Sequence, residues 1–350
     1  MPAARYRSAA VALFGAIAVA AALTACGNGN PSPSPTVIVT QGASSSSSSA
    51  SASAVAATPP GMVAVTQRGA LVTLDPATGA VVRTLVPSHV VGDQVSVSSG
   101  GLVYFAARRG CQTEIEAIPV AGGAVTTFAV GSLPAVSPDG TRLAYAQQPT
   151  LAVGCVPQVS DLVGLYHLDI RTLNSGATVR LPMVASGQSS GLPYAISHLS
   201  WAADNDHLAV SIAAPQDNEG WNLNVLDTAH AQYYLSGPGV VSVPVTGSPA
   251  PQHSYWREGV YMPSGNLFVS RACCGGFPVH NTSRLMWEVA SNGALVHQVA
   301  IGFVNLDHIS LDVSSDGNWL LYLAAHDLYV SDGGATPRKI ASGLVAAAWG

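Results

Sequence analysis

The chain has 350 residues, of which 9% are charged and 48% apolar, with a formal net charge of −5. Lys339 is its only lysine and no basic cluster occurs. The electrostatic footprint that nucleic acid demands is missing, so composition excludes that class of partner.

The first predicted element is an export signal. Arg5 and Arg7 precede the uncharged stretch Ala9–Leu23, which is shorter than the ~20 apolar residues of a membrane-spanning helix. Leu23-Thr24-Ala25-Cys26 follows and resembles the lipobox of bacterial lipoproteins. That resemblance implies diacylglycerol and palmitate-type acyl chains on Cys26, with residues 1–25 removed as a signal peptide. It also implies a cell-membrane location facing away from the cytoplasm. Each buried acyl CH₂ is worth about 0.8 kcal/mol, so two or three chains would hold the protein firmly. The bland alternative is an ordinary secretory signal with a chance cysteine beside its cleavage site. Residues 26–60 then read as a tether: uncharged and Ser/Pro/Ala-rich, with the runs Ser44–Ser49 and Pro59-Pro60 and too little apolar surface to offset ordering entropy.

From Gly61 onward short alternating runs are bounded by Gly, Pro, Asp and Asn, and no amphipathic helix appears. The runs recur as strand, tight polar turn, strand, loop, strand, turn, strand. Leu133–Ala146 (LPAVSPDGTRLAYA), Leu199–Ser211 (LSWAADNDHLAVS) and Leu311–Leu323 (LDVSSDGNWLLYL) are the clearest copies, with looser ones at Val95–Ala106 and Tyr255–Ser270. A four-stranded meander cannot bury both faces alone, and radial stacking solves this. Asp-Gly and its relatives supply the positive φ of two-residue hairpin turns.

Ser137-Pro138-Asp139-Gly140 and Ser315-Asp316-Gly317 resemble the turn of the TolB-like (WD-like) propeller repeat. The resemblance implies an all-β propeller fold over 61–350, and counting the repeats gives a six-bladed β-propeller of four-stranded blades. It is nearly silent on activity. The first unit shows three strands, and Leu344–Trp349 supplies its innermost one, so the C-terminal strand closes the first blade. A seventh blade in 231–252, around Val240–Val245, is the alternative.

Long segments at 107–113, 147–163, 212–221 and 271–284, with the connections 182–197 and 236–253, all emerge on one face, which is the expected binding face. Tyr194, Trp221, Trp256, Phe277, His280 and Asn281 are its candidate contacts, a mixture of aromatics and amides suited to a protein, peptide or glycan of the cell envelope. Cys111, Cys155, Cys273 and Cys274 fall in the same loops. A Cys111–Cys155 bridge and a vicinal Cys273–Cys274 pair are the expected disulfides. No cofactor or metal site is expected, since His280 alone completes no zinc set.

Catalytic motifs fail on context. Gly187-Gln188-Ser189-Ser190-Gly191 matches G-x-S-x-G but lacks the strand before and helix after that a nucleophile elbow needs. No histidines fall at H-x-x-x-H spacing. The alternative to a non-catalytic binding protein is a metal-assisted hydrolase or lactonase in the central channel. The inner strands would offer it Asp93, His198, His253, Arg257, Glu258, Asp307 and His308.

Overall fold

A computed structural model describes residues 61–147, 167–182, 195–213, 221–230, 239–244, 254–273, 285–299, 309–332 and 337–350. Among these, 24 strands form six four-stranded antiparallel sheets. Blade 1 comprises β1 (Met62–Thr66), β2 (Leu71–Leu74) and β3 (Val81–Val86), and blade 2 comprises β4 (Val90–Val97), β5 (Leu102–Arg109), β6 (Gln112–Pro119) and β7 (Thr126–Val130). Blade 3 comprises β8 (Ser132–Val136), β9 (Arg142–Gln147), β10 (His167–Thr172) and β11 (Thr178–Pro182). Blade 4 comprises β12 (Ala195–Trp201), β13 (His207–Ala213), β14 (Trp221–Asp227) and β15 (Val240–Ser242). Blade 5 comprises β16 (Ser254–Tyr261), β17 (Leu267–Cys273), β18 (Leu285–Val289) and β19 (Leu295–Val299). Blade 6 comprises β20 (Ile309–Val313), β21 (Leu320–Ala324), β22 (Asp327–Ser331) and β23 (Arg338–Ser342), and the chain then enters β24 (Leu344–Trp349).

The latch expected of the last strand is present. β24 pairs antiparallel with β1, Met62 opposite Trp349 and Ala64 opposite Ala347, so blade 1 has the order β24-β1-β2-β3. Each innermost strand meets the next around the ring, and β24 touches both β20 and β4. Val240–Ser242 is the outer strand of blade 4, so the seventh blade is not formed.

Alternation along the inner strands explains why six blades hold together. Val103, Phe105 and Ala107 of β5 pack on Val63, Val65 and Ala348 of blade 1. Their neighbours Tyr104 and Ala106 turn the other way, onto Val136 and Tyr145 of blade 3. Both faces of each blade are buried, which produces near-continuous apolar runs with a period-2 assignment to one neighbour or the other. Six apolar clusters result, one at each blade interface. Outermost strands face solvent on at least one side, which is where exposed Val81, Val82, Val179 and Val241 sit.

Two expectations about connections are corrected. The segment 107–113 is not a long loop: Arg109 pairs with Gln112 across a two-residue hairpin, Gly110-Cys111. The repeat turn is also not a two-residue hairpin. Gly140 closes a turn onto the Ser137 carbonyl at 2.8 Å and itself carries φ +70°, so the left-handed residue ends the turn rather than lying inside it. Ser137 Oγ donates to Asp139 at 2.6 Å and accepts the Arg142 N–H at 2.9 Å, which fixes the S-P-D-G geometry. Ser314 and Asp316 repeat it, and in blade 4 Asn205 takes the left-handed place with φ 62°.

Candidate functional site in the central channel

The innermost strands can be superposed by the first residue of the turn that follows each. That residue is Ser98, Ser137, Ala202, Met262 or Ser314, and in blade 1 it is Gly350, whose N–H meets the Gly61 carbonyl at 2.8 Å. Counting back two places gives Ser96, Ser200 and Asp312 in blades 2, 4 and 6, but Ala135, Val260 and Ala348 in blades 3, 5 and 1.

Each polar member reaches the next blade. Val136 N–H donates to Ser96 Oγ at 3.1 Å, Tyr261 N–H to Ser200 Oγ at 3.0 Å, and Trp349 N–H to Asp312 Oδ2 at 2.8 Å.

Four places before the turn the same alternation recurs with Gln94, His198 and Ser310. Gln94 Nε2 donates to the Pro134 carbonyl at 3.1 Å, and Ser310 Oγ donates to the Ala347 carbonyl at 3.4 Å. His198 hydrogen-bonds the backbone of Gly259. Gln94 goes further, exchanging two bonds with Leu199 of blade 4, Nε2 to its carbonyl at 2.7 Å and Oε1 from its N–H at 3.0 Å. It spans the channel past blade 3 and forms part of a floor.

Above that floor lies a cavity of ≈ 540 Å³. Gln94, His198 and Ser310, four places before the turns, line it together with the turn residues Ser99, Pro138, Pro263 and Ser315. The size suits a small ligand or the end of a larger one. Apolar walls come from Val95, Leu199, Val260 and Leu311. Among the described residues no lysine or arginine lines it, and the titratable side chains that do are His198, Tyr261 and Asp312.

The two deeper ionisable groups are held neutral in opposite senses. His198 is 4% exposed, and burial lowers its pKa to about 4, against the Gly259 bond that raises it. Its Nδ1 is buried and has no hydrogen-bond partner. A neutral ring with its proton on Nε2 presents a lone pair at Nδ1. Asp312 is half-buried, and burial pushes its pKa up to about 7 despite accepted bonds from Trp349 and from Val313 N–H at 2.9 Å.

The sequence-predicted residues fare differently. Trp256 is a correction: it is 1% exposed in the core between blades 4 and 5, and its indole N–H donates to the Pro244 carbonyl at 2.9 Å. It fills an interface and presents nothing to a ligand. Trp221 begins β14 and Cys273 ends β17. Cys111 is disulfide-bonded. Cys26, Cys155, Cys274, Tyr194, Phe277, His280, Asn281, His253, Asp307 and His308 lie outside the described residues, as do most of the long loops. Of the channel set, His198 and Glu258 occupy equivalent places in adjacent blades and both are buried. Among the described residues no group of three His, Cys, Asp or Glu side chains is placed to hold a metal.

Sequence reading missed Ser96, Ser200, Asp312 and Gln94. Their signal is present in alternate repeats: QVSVSS, HLSWAA and SLDVSS share polar-apolar-polar at one register, whereas LPAVSP and EGVYMP do not.

No family model matches the chain, and no curated protein matches it. Solved structures do. TolB from Acinetobacter baumannii is similar at TM-score 0.57 and 12% identity, over 83% of this chain and 66% of that one. A protein of unknown function from Bacteroides caccae is similar at TM-score 0.52 and 11% identity, over 83% of this chain and 98% of that one. The fold is thus a six-bladed, TolB-like β-propeller, and at these identities the likeness speaks to fold alone.

Proposed function

We propose that this protein is a non-catalytic binding module, a propeller held by lipid on Cys26 at the outer face of a membrane. Its partner would be a protein, peptide or glycan of the cell envelope. The observation that carries the binding reading is the axial cup, open on the turn face and floored by Gln94, His198 and Ser310. Propellers of the same fold include TolB and proteins of unknown function, so fold likeness neither selects nor opposes a ligand. The anchor reading is supported by Arg5, Arg7, the apolar Ala9–Leu23 and Leu23-Thr24-Ala25-Cys26.

Two measurements test it. Metabolic labelling with a palmitate analogue should mark the wild-type chain, and Cys26→Ser should abolish the label and release the protein from membranes. Affinity capture from envelope extract should retain a partner on the intact chain. It should lose that partner when Ser200→Trp fills the cup, with a single cooperative melting transition showing that the ring survives the lost Tyr261 bond. Capture that is indifferent to the substitution would move the site to the loop face, and no capture by either form would overturn the binding reading.

A further inference from the structure

The cup has a chemical polarity. At its middle level stand Ser96, Ser200 and Asp312, one from every second blade, each already accepting a backbone N–H from the next blade. Below them the buried Nδ1 of His198 has no partner, and in the neutral ring with its proton on Nε2 it is an acceptor. An unpartnered buried acceptor loses its water without replacement, and a ligand donor is the direct remedy. A carboxyl group with no basic side chain among the described lining residues calls for positive charge in the same way.

We infer that the cup receives a ligand bearing a primary ammonium group beside Asp312, with Ser96 and Ser200 as further acceptors, and a neutral hydrogen-bond donor below it for His198 Nδ1. The ammonium has three N–H donors and no acceptor, which suits three oxygens at one level. Two strand residues separate the levels, a rise of ~7 Å, so the two ligand groups stand about five bonded carbons apart. Anions are disfavoured by the same wall. This deepens the binding reading and rests on it, but does not depend on the lipid anchor.

Charge linkage gives the inference its own signature. Asp312 holds its proton up to about pH 7. Asp312 pairs with Leu321 across blade 6 and turns to blade 1, whose β24 carries no titratable side chain, while Tyr322 pairs with Leu311 on the opposite face; β16 carries Tyr255, Arg257, Glu258 and Tyr261 in its sequence, and β4 carries Asp93. None of these is among the causes of its shift. A bound ammonium would favour the ionised carboxylate and displace its proton into solvent, so affinity should rise about tenfold from pH 6 to pH 8.

The test is calorimetric titration of the full chain in detergent micelles with 5-amino-1-pentanol, its N-acetyl derivative and 5-hydroxypentanoate. The expected result is binding of the amine alone, tightening about tenfold between pH 6 and 8. Protons should be released at pH 6, read from two buffers of different ionisation heat. Asp312→Asn should keep the Trp349 bond and fold while weakening the amine at least tenfold and abolishing proton release. Equal binding of the N-acetyl derivative, a pH-independent affinity, or no binding of the amine overturns the inference. If an envelope partner is still captured through the cup in that event, the binding reading stands and only the ammonium assignment falls. If neither occurs, both fall.

Discussion

Blades 2, 4 and 6 and blades 3, 5 and 1 share one fold but not one inner edge. The first set carries Gln94, His198 and Ser310 with Ser96, Ser200 and Asp312, and these side chains hydrogen-bond backbone of the blade that follows. The second set carries Leu133, Glu258 and Ala346 with Ala135, Val260 and Ala348 at the same places. At these two levels the inner edge joins blades 2 with 3, 4 with 5 and 6 with 1, with Gln94 also reaching blade 4 and Trp201 Nε1 donating back to Ala135 of blade 3, while apolar clusters serve all six interfaces alike. The difference separates two tasks. Apolar burial supplies most of the cohesion but has no direction, whereas the polar edge fixes how one blade sits on the next and leaves acceptors facing the axis.

The largest test of that division is Gln94→Leu. It removes three bonds and strands the Leu199 N–H and the Pro134 and Leu199 carbonyls, at an expected cost of about 2–4 kcal/mol in denaturant unfolding. The odd-blade counterpart Leu133→Ala, on a partly buried residue packed against an apolar cluster, should cost about 1–2 kcal/mol. An equal cost at both places would show that the polar edge has no special part. Next comes Ser200→Ala, which leaves the Tyr261 N–H unpaired for a loss of about 1 kcal/mol, and Ser96→Ala should do the same to Val136. A double substitution should add, since no bond joins the two sites.

Much of the architecture was legible because its causes are local. Asp139-Gly140 and Asp316-Gly317 announce turns through backbone conformation, and strands such as Leu102–Arg109 announce themselves by apolar runs. The C-terminal latch was legible as a missing strand and a spare one. The cup was not, because its polar edge is a relation between alternate repeats. Ser96 alone is an ordinary serine, and its meaning appears only when Ser200 and Asp312 fall at the same register. Trp256 misled for the reverse reason: an aromatic beside a long connection looks the same whether it faces a ligand or plugs an interface, and only the position of Pro244 decides.

The subtlest test concerns pH, where His198 and Asp312 oppose one another. His198 has a folded pKa of about 4, below its ordinary value of 6.5, so its contribution is full above 6.5 and is lost as pH falls toward 4. Asp312 has a folded pKa of about 7, above its ordinary 3.8, so its contribution is full below 3.8 and is lost as pH rises through 7. Between about pH 4 and 6.5 each alone would tilt stability by roughly 1 kcal/mol per pH unit, in opposite directions. Together they nearly cancel, so in wild type these two groups should add almost no slope to unfolding free energy across that window. Asp312→Asn removes one side and should leave stability rising with pH, and at pH 8 should stabilise by about 1–2 kcal/mol because the desolvated carboxylate is gone. His198→Gln removes the other side and should leave stability falling as pH rises. Denaturant midpoints at pH 4.5, 5.5 and 6.5 for the three proteins decide it. Parallel profiles would mean that neither group is buried in the protonation state assigned to it, and the acceptor character of the cup would lose its basis.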